Sequence, residues 1–566
     1  MPIWQLRIRR FTFSPQASMS SVPSPASSRQ RLFSSMGALF APVEETIDDY
    51  PFAPGDVALL HAGLTLEDGA ADTADAIDAQ TWDDMLLQPY ADRLAPQTSI
   101  FGQQMLHRRL RHGSVDPASI ARVQTLMADP LLMARLAQAC RGLRKADKEV
   151  SVPLFGERRG AAPAWTRWLG LLPLGFFVSL ALAVVWPPGW LVFIAVWCAL
   201  MAVQVMFHEA AQDWEAAMAT MQQLLRAHSL LGALDDRVAP GFRAGAAKAG
   251  KINRTITRSP MDRVVPFARE YGDWLMLKNI RHYFKSRQTV LHERDFLRAS
   301  FLLAADLDAD LALARHLLSR ERFCWAEIDA QGKPGRVMLD GVVHPLLADA
   351  APLAIDLRGK GAFISGQNGV GKSTLLRTVG LNLICARAFG FCYADAAGTP
   401  LLPVYSCMQS EDTLAGGESL YIAELRRARE LLALAEARPA LFIIDEIFRG
   451  TNHLESVSAA AAVLHTLARD ALVIVSSHNL VLASLLEDCL VPLCVDAVED
   501  VVPEQAAPKR RLRLRPGVLS ETNGIALLAA RGFGGEIEAK AGKVFDWLSV
   551  HMAHPPECGH VLAAAP

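Results

Sequence analysis

Residues 362–374 read AFISGQNGVGKST, and the architecture of the C-terminal half of the chain turns on them. An apolar run ends at Gly366; after four intervening residues come Gly371, Lys372 and Ser373, and the chain goes on as the helix-suited TLLRTVGLNLICARA. Strand, glycine-rich turn and helix in that order make a P-loop. The backbone N–H groups of Gly366, Gln367, Asn368, Gly369, Val370, Gly371, Lys372, Ser373 and Thr374 are then free to curl around phosphates at a helix N-terminus. Lys372 neutralises phosphate charge, and the Ser373 hydroxyl is a ligand for Mg²⁺.

Two further apolar runs complete the expected site. LFIIDE, residues 441–446, is a buried strand ending in two acids: Asp445 holds Mg²⁺ through water, and Glu446 orients or activates the attacking water. ALVIVSSH, residues 471–478, ends at His478, which either senses the terminal phosphate and polarises the water or is an ordinary strand-end histidine. Together these runs predict an α/β P-loop domain with a doubly wound, mostly parallel sheet and its ligand at the carboxyl ends of the strands.

Upstream the periodicity is helical. From Trp82 to about residue 160, and again from 208 to about 325, apolar residues recur at three and four, as in amphipathic helices that bury one face. Between these stretches Trp168–Trp186 is nineteen residues without a charge and Trp190–Phe207 is eighteen more. Each is just long enough to cross a hydrocarbon core of about 30 Å at 1.5 Å per residue. Pro187, Pro188 and Gly189 make a tight turn between them, and Trp165, Trp168, Trp186 and Trp190 stand where aromatic belts form. Two antiparallel transmembrane helices over 168–207 are the expectation, and Arg158, Arg159 and Arg167 keep both flanking portions on the cytoplasmic side of a cell membrane. The alternative is a hairpin buried in a soluble core.

The 566-residue chain has room for several domains, and 57 basic against 59 acidic side chains exclude a strong overall field toward nucleic acid or anionic membrane. Local attraction has one candidate: Arg237, Arg243, Lys248, Lys251, Arg254 and Arg258 follow one another without an acid, either contacting phosphates of lipid or DNA or forming a solvated linker. Nine scattered cysteines without a CxxC pair suit a reducing compartment. Residues 1–40 hold no acid and are rich in Arg and Ser, fitting a transit peptide, a disordered tail or a true start at Met36; 41–81 are acidic and read as a loose lead-in. In the tail, 546–566, His551, His554, Cys558 and His560 lie close enough to suggest zinc, although a frayed terminus without a second ligand pair is the simpler reading.

Five segments give the chain a family likeness. GVVHPLL (341–347), GQNGVGKST, AGGESLYIAEL (415–425), DEIFRGTN (445–452) and VSSH resemble, in order and spacing, the motifs of the MutS family of DNA mismatch repair ATPases. LRPGVLSETNGIALLAARGF (514–533) is similar to that family's closing strand and helix, with Thr522, Asn523, Gly524 and Ile525 at the turn. The likeness covers about 330–535 well; residues 98–127 more faintly resemble the family's lever and core helices. The resemblance implies ATP and Mg²⁺ as cofactors, a MutS-like ATPase domain over 326–545, and a homodimer in which Ser419 reaches the nucleotide of the opposite subunit. Arg449 and Asn452 are then expected at the dimer contact. It also implies mismatched-DNA binding and ATP-dependent DNA damage sensing.

The chain departs from that family in several places. A mismatch-reading N-terminal domain is not expected, since only about eighty acidic or disordered-looking residues precede the helices and Phe155-Gly156-Glu157 matches the family's Phe-x-Glu element only in its letters. Phe448 stands where the family has Gly, and 348–357 has no aromatic to stack on adenine. The hairpin interrupts the helices where a DNA clamp would extend. The function expected from sequence is therefore a membrane-anchored, MutS-like Mg-ATPase that touches lipid through 168–207, with DNA as a further partner. An ABC-type transport or remodelling ATPase and a nucleotide-binding membrane scaffold are the alternatives.

Overall fold

The computed structural model describes residues 49–68, 76–113, 115–156, 160, 162–234, 241–258, 268–329, 335–408, 420–499, 510–519, 524–525 and 535–551. The expectations for residues 1–40, for Arg158, Arg159, Arg237, Ser419, Thr522 and Asn523, and for His554, Cys558 and His560 lie outside them. Among the described residues no group of three or more His, Cys, Asp or Glu side chains is arranged to hold a metal.

The N-terminal half is helical: α1 (Pro54–Asp68), α2 (Ala79–Asp84), α3 (Leu87–Leu94), α4 (Ile100–His112), α5 (Pro117–Ala128), α6 (Pro130–Cys140), α7 (Ser151–Phe155), α8 (Leu171–Val185), α9 (Gly189–Leu231), α10 (Phe242–Ile256), α11 (Ala268–Met276), α12 (Lys278–His292) and α13 (Arg294–Leu318). Helices α5 and α6 start on Asp116 and Asp129, whose carboxylates cap them, each with proline as its first residue. Helix α13 is the axis of this bundle. It buries Asp310, which accepts hydrogen bonds from Arg109 and Arg122 at 2.6 Å each, and Asp308, which accepts from the backbone and hydroxyl of Ser99. Acids buried this deeply persist only because each is fully partnered.

Two sequence expectations change here. Within the acidic lead-in the described residues 49–68 and 76–81 are structured: α1 buries Leu60 and Leu64, and α2, capped by Asp78, packs on the sheet. The basic stretch after 241 is helix α10 and not a linker.

The hairpin differs from expectation in length. Helix α8 has 15 residues, about 22 Å at 1.5 Å per residue, because Ala164–Trp168 is a 3-10 turn and Trp186 is extended, as a residue before proline prefers. Helix α9 has 43 residues and does not stop at Phe207; its first half is apolar and its second half buries Met218, Met221, Leu224 and Leu225 in the bundle core. Among the described residues α9 alone is long and apolar enough to cross a membrane, so two full spans are not seen. Nor is the hairpin a soluble core: 11% of the apolar stretch of α9 is buried, and Val184 and Val185 near the tip are 78% and 84% exposed.

The C-terminal half contains β1 (Cys324–Trp325), β2 (Glu327–Asp329), β3 (Arg336–Val342), β4 (Leu353–Arg358), β5 (Gly361–Gly366), α14 (Lys372–Phe389), β6 (Phe391–Cys392), β7 (Ala396–Pro400), β8 (Val404–Cys407), α15 (Leu420–Ala437), β9 (Leu441–Asp445), α16 (His453–Asp470), β10 (Leu472–Ser476), α17 (Val481–Leu485), β11 (Leu490–Glu499), β12 (Arg510–Pro516) and α18 (Gly535–His551). The main sheet has the order β12-β11-β5-β10-β9-β8; β8, β9, β10, β5 and β11 are parallel, and β12 pairs antiparallel with β11. A second sheet, β2-β7-β3-β4, and the β1–β6 pair flank it. Strands β5, β9 and β10 are buried throughout, as a sheet covered on both faces requires. Their side chains alternate. Ala362, Ile364, Ile443 and Ile474 join the core shared with the helical bundle, while Phe363, Phe442, Ile444 and Val475 join a second core under α15–α17.

The two halves are therefore one packed structure. Tyr393 donates to or accepts from Tyr90 at 2.7 Å and meets His316 Nε2 at 2.8 Å, tying the β6 loop to α3 and α13. At the sheet edge the buried Arg427 of α15 donates to Asp78 at 2.8 Å and to the Ser406 carbonyl at 2.6 Å, while Ser406 donates to Asp84 at 2.7 Å. Burial pushes the Asp84 carboxyl up against these bonds. Arg427→Ala leaves the Ser406 carbonyl and Asp78 without their main donor. It should cost about 3 kcal/mol, read as a lowered thermal midpoint, whereas Arg429→Ala at an exposed position two residues later should change it little.

Candidate nucleotide-binding site

The three motifs meet at one end of the main sheet. Strand β5 delivers the chain to Gly366. Gln367–Gly369 are exposed, and Gly371 turns the backbone with φ 108°, a left-handed conformation that glycine adopts without steric cost, into the first turn of α14. Lys372 is buried, and its ammonium donates to the carbonyls of Gly366 and Gln367 at 3.0 and 3.2 Å, bridging the loop it follows. Burial lowers its pKa, while Glu446 and Asp445 act in the opposite direction. Ser373 and Thr374 are half-buried in the same turn.

Asp445 ends β9 beside Ser476, which ends β10; the two residues are in register, and the Ser476 hydroxyl donates a short hydrogen bond to the Asp445 carboxylate. Glu446 follows in the left-handed region at φ 54°, its N–H bonded to the Ser476 carbonyl. Its carboxylate lies 2.8 Å from His478 Nε2 and 3.6 Å from the Arg449 guanidinium. The His478 hydrogen bond, with the charges of Arg449 and Lys372, holds the Glu446 carboxyl below its ordinary value although burial opposes this. His478 thus reaches the second acid from the neighbouring strand.

The loop after Glu446 is held by α15. Buried Glu424 accepts the Arg449 N–H at 2.8 Å and lies 3.6 Å from its guanidinium. Phe448 has φ 60° and is wholly buried against Tyr421. The family's glycine at this position suits that φ, and here burial of a large ring offsets the backbone strain. Gly450 lies so close to Tyr421 that a Cβ would come within 2.7 Å of its backbone nitrogen. Asn452 caps α16 by accepting the Glu455 N–H.

Ser476, Glu424 and Arg427 escape a reading by motif. Ser476 sits inside VSSH and its pairing depends on strand register; Glu424 and Arg427 lie in a helix that also carries the exposed charges Arg426, Arg429 and Glu430, from which sequence does not separate them. The P-loop donor set fits a nucleoside triphosphate with Mg²⁺: a helix N-terminus, an ammonium already bonded to loop carbonyls, and a hydroxyl and a carboxylate from adjacent parts of the site.

A parallel sheet with a glycine-rich turn between β5 and α14 and acids at the end of β9 belongs to the P-loop ATPase class of fold. Residues 362–549 match the family model for MutS domain V. Over 268 residues the chain is 28% identical to the DNA mismatch repair protein MutS of Thermus aquaticus, covering 46% of this chain and 31% of that protein. It is 33% identical to the endonuclease MutS2 of Anaeromyxobacter sp. over 199 residues, covering 33% of this chain and 24% of that one. Through residues 362–549 the chain shares MutS domain V with this family, and it spans less than a third of the length of these relatives.

A depressed carboxyl contributes stability above its unfolded pKa and loses it as pH falls through the folded value. His478→Ala removes the leading cause, so the Glu446 carboxyl should titrate at higher pH and its acid-sensitive contribution at neutral pH should shrink. Carboxyl NMR titration of both chains checks this; an unchanged Glu446 titration would show that His478 does not hold it.

Proposed function

We propose that the chain is a Mg²⁺-dependent ATPase of MutS type whose nucleotide cycle acts on a hairpin embedded in a membrane. The observation that carries the ATPase is the convergence of Lys372, Asp445 and the Glu446–His478 pair at the ends of three adjacent parallel strands. In this reading residues 366–374 cradle the phosphates, and Lys372 leaves its loop carbonyls to neutralise them. Ser373 and Asp445 would hold Mg²⁺, which supplies further charge neutralisation. Glu446, kept ionised by His478 and Arg449, orients the attacking water and takes its proton. Two chains close over two nucleotides as a homodimer, with Ser419 contributed across the interface.

Membrane attachment is supported by the exposed apolar surface of α8 and α9 and by Trp165, Trp168, Trp186 and Trp190 at its two ends. Both helices enter from the side of the bundle, which leaves the ATPase domain on one face of the membrane. A role on DNA draws on the names of the relatives. Of the basic residues expected to contact phosphate, Lys248 is paired with Glu293 at 2.8 Å, and Arg258 is paired with Glu215 and Asp273.

Glu446→Gln should bind ATP normally and lose about 10²- to 10⁴-fold in turnover, and Lys372→Ala should lose ATP binding. Phosphate release and nucleotide binding on the purified chain decide this; wild-type turnover in Glu446→Gln would remove Glu446 from the reaction. The full chain should fractionate with membranes and resist extraction by concentrated salt. Recovery wholly in the soluble fraction would remove the anchor.

A further inference from the structure

A cavity of about 1060 Å³ opens at the foot of the hairpin, between the segment 162–167 and helices α10 and α12. It adjoins a second of about 460 Å³, with which it shares Arg167 and Lys285. Arg167, Lys248, Lys251 and Lys285 line the larger cavity and Arg281 the smaller. Among the described lining residues Glu293 is the single acid, and it pairs with Lys248 at 2.8 Å. The remaining charge is strongly positive in a chain whose overall balance is slightly negative.

The height of this cavity along the hairpin matters as much as its charge. Trp165, in the segment that forms its wall, packs on Phe207 and Phe284 with ring centroids 5.8 Å apart in each case. Phe207 is the last residue of the charge-free run of α9, and Leu171, which opens α8, is exposed with Leu174 above it. The basic cavity therefore begins where the apolar surface ends, with Trp165 and Trp168 at the boundary. In a bilayer that is the level of the phosphates, and lysine and arginine stems reach it over apolar surface.

We infer that this cavity binds the phosphate headgroup of an anionic phospholipid, whose acyl chains lie along the exposed face of α8. The inference rests on the membrane reading above and adds a defined lipid site to it. A free anion finds the positive charge but leaves Leu171 and Leu174 uncovered. Duplex DNA has no apolar portion to cover them either. A phospholipid satisfies both parts at once. Since a basic residue near an anionic surface contributes about fivefold in binding, Arg167, Lys251 and Lys285 together account for on the order of 100-fold.

The test uses the full chain in detergent, floated with vesicles of phosphatidylcholine alone or mixed with phosphatidylglycerol, and native mass spectrometry to count retained lipid. Wild type should float with both, prefer the mixed vesicles and retain phosphatidylglycerol. The triple variant Arg167→Gln, Lys251→Gln, Lys285→Gln should still float and still bind ATP, but lose the preference and the retained lipid. Neutralising Arg135, Arg358 and Lys540 should change neither. Equal loss in that control would reduce the effect to diffuse attraction and overturn the site. So would equal binding of both vesicles by wild type, equal stabilisation by inorganic phosphate, or displacement of the lipid by duplex DNA. Failure of wild type to float with either vesicle would instead overturn the membrane reading itself.

Discussion

Helix α14 is buried on every side, and most of the structure depends on that. Fifteen of its eighteen residues, from Lys372 to Phe389, are buried. One side lies on the sheet through Leu376 and Gly380, where a Cβ would collide with Ile443 and Met85; the other reaches the helical bundle. A helix packed on nearly every side has no exposed face on which to slide, so its first turn and its packed body move as one. Asn382 reinforces this by donating to the Val343 carbonyl at 3.1 Å and accepting the Tyr393 N–H at 2.7 Å. The turn that would hold phosphate is therefore rigidly joined to Tyr90, His316 and the bundle axis α13.

The same mechanical continuity runs from the bundle into the hairpin. Helix α9 has no break at the end of its apolar run; it is a single rod of about 65 Å with one half among bundle side chains and the other exposed and apolar. Any displacement of the bundle would be delivered to the exposed half without a hinge. Between α11 and α12 the chain turns at Leu277, which is buried at φ 50° and links the short α11 to the helix that lines the basic cavity.

The second constraint is the loop 445–452. Glu446 and Phe448 both occupy the left-handed region, which side chains adopt only where surrounding contacts dictate it. Glu424 bonding the Arg449 N–H, the burial of Phe448 on Tyr421 and the close fit of Gly450 supply those contacts, all from α15.

Much of the site was legible in the sequence because its chemistry is local. The P-loop spacing, the two acids after an apolar run and a third run ending at His478 each lie within a few consecutive residues, and strand periodicity states that they are buried. The charge-free runs around Pro187 likewise announced a hairpin, since apolar content is additive along a chain. What depends on distant residues meeting was not legible: the Asp445–Ser476 and Glu446–His478 pairs need strand register, and the Arg427–Asp78 bridge spans 349 positions. Hairpin length was misjudged for a related reason, because hydropathy records which residues are apolar but not where proline and the bundle make a helix stop or continue. The sequence by itself determined the fold class and the identities of the candidate site groups. Tertiary structure alone decided their pairing, the unity of the two halves and the basic cavity beneath the hairpin, because those arise from side chains that only packing brings within a few ångströms.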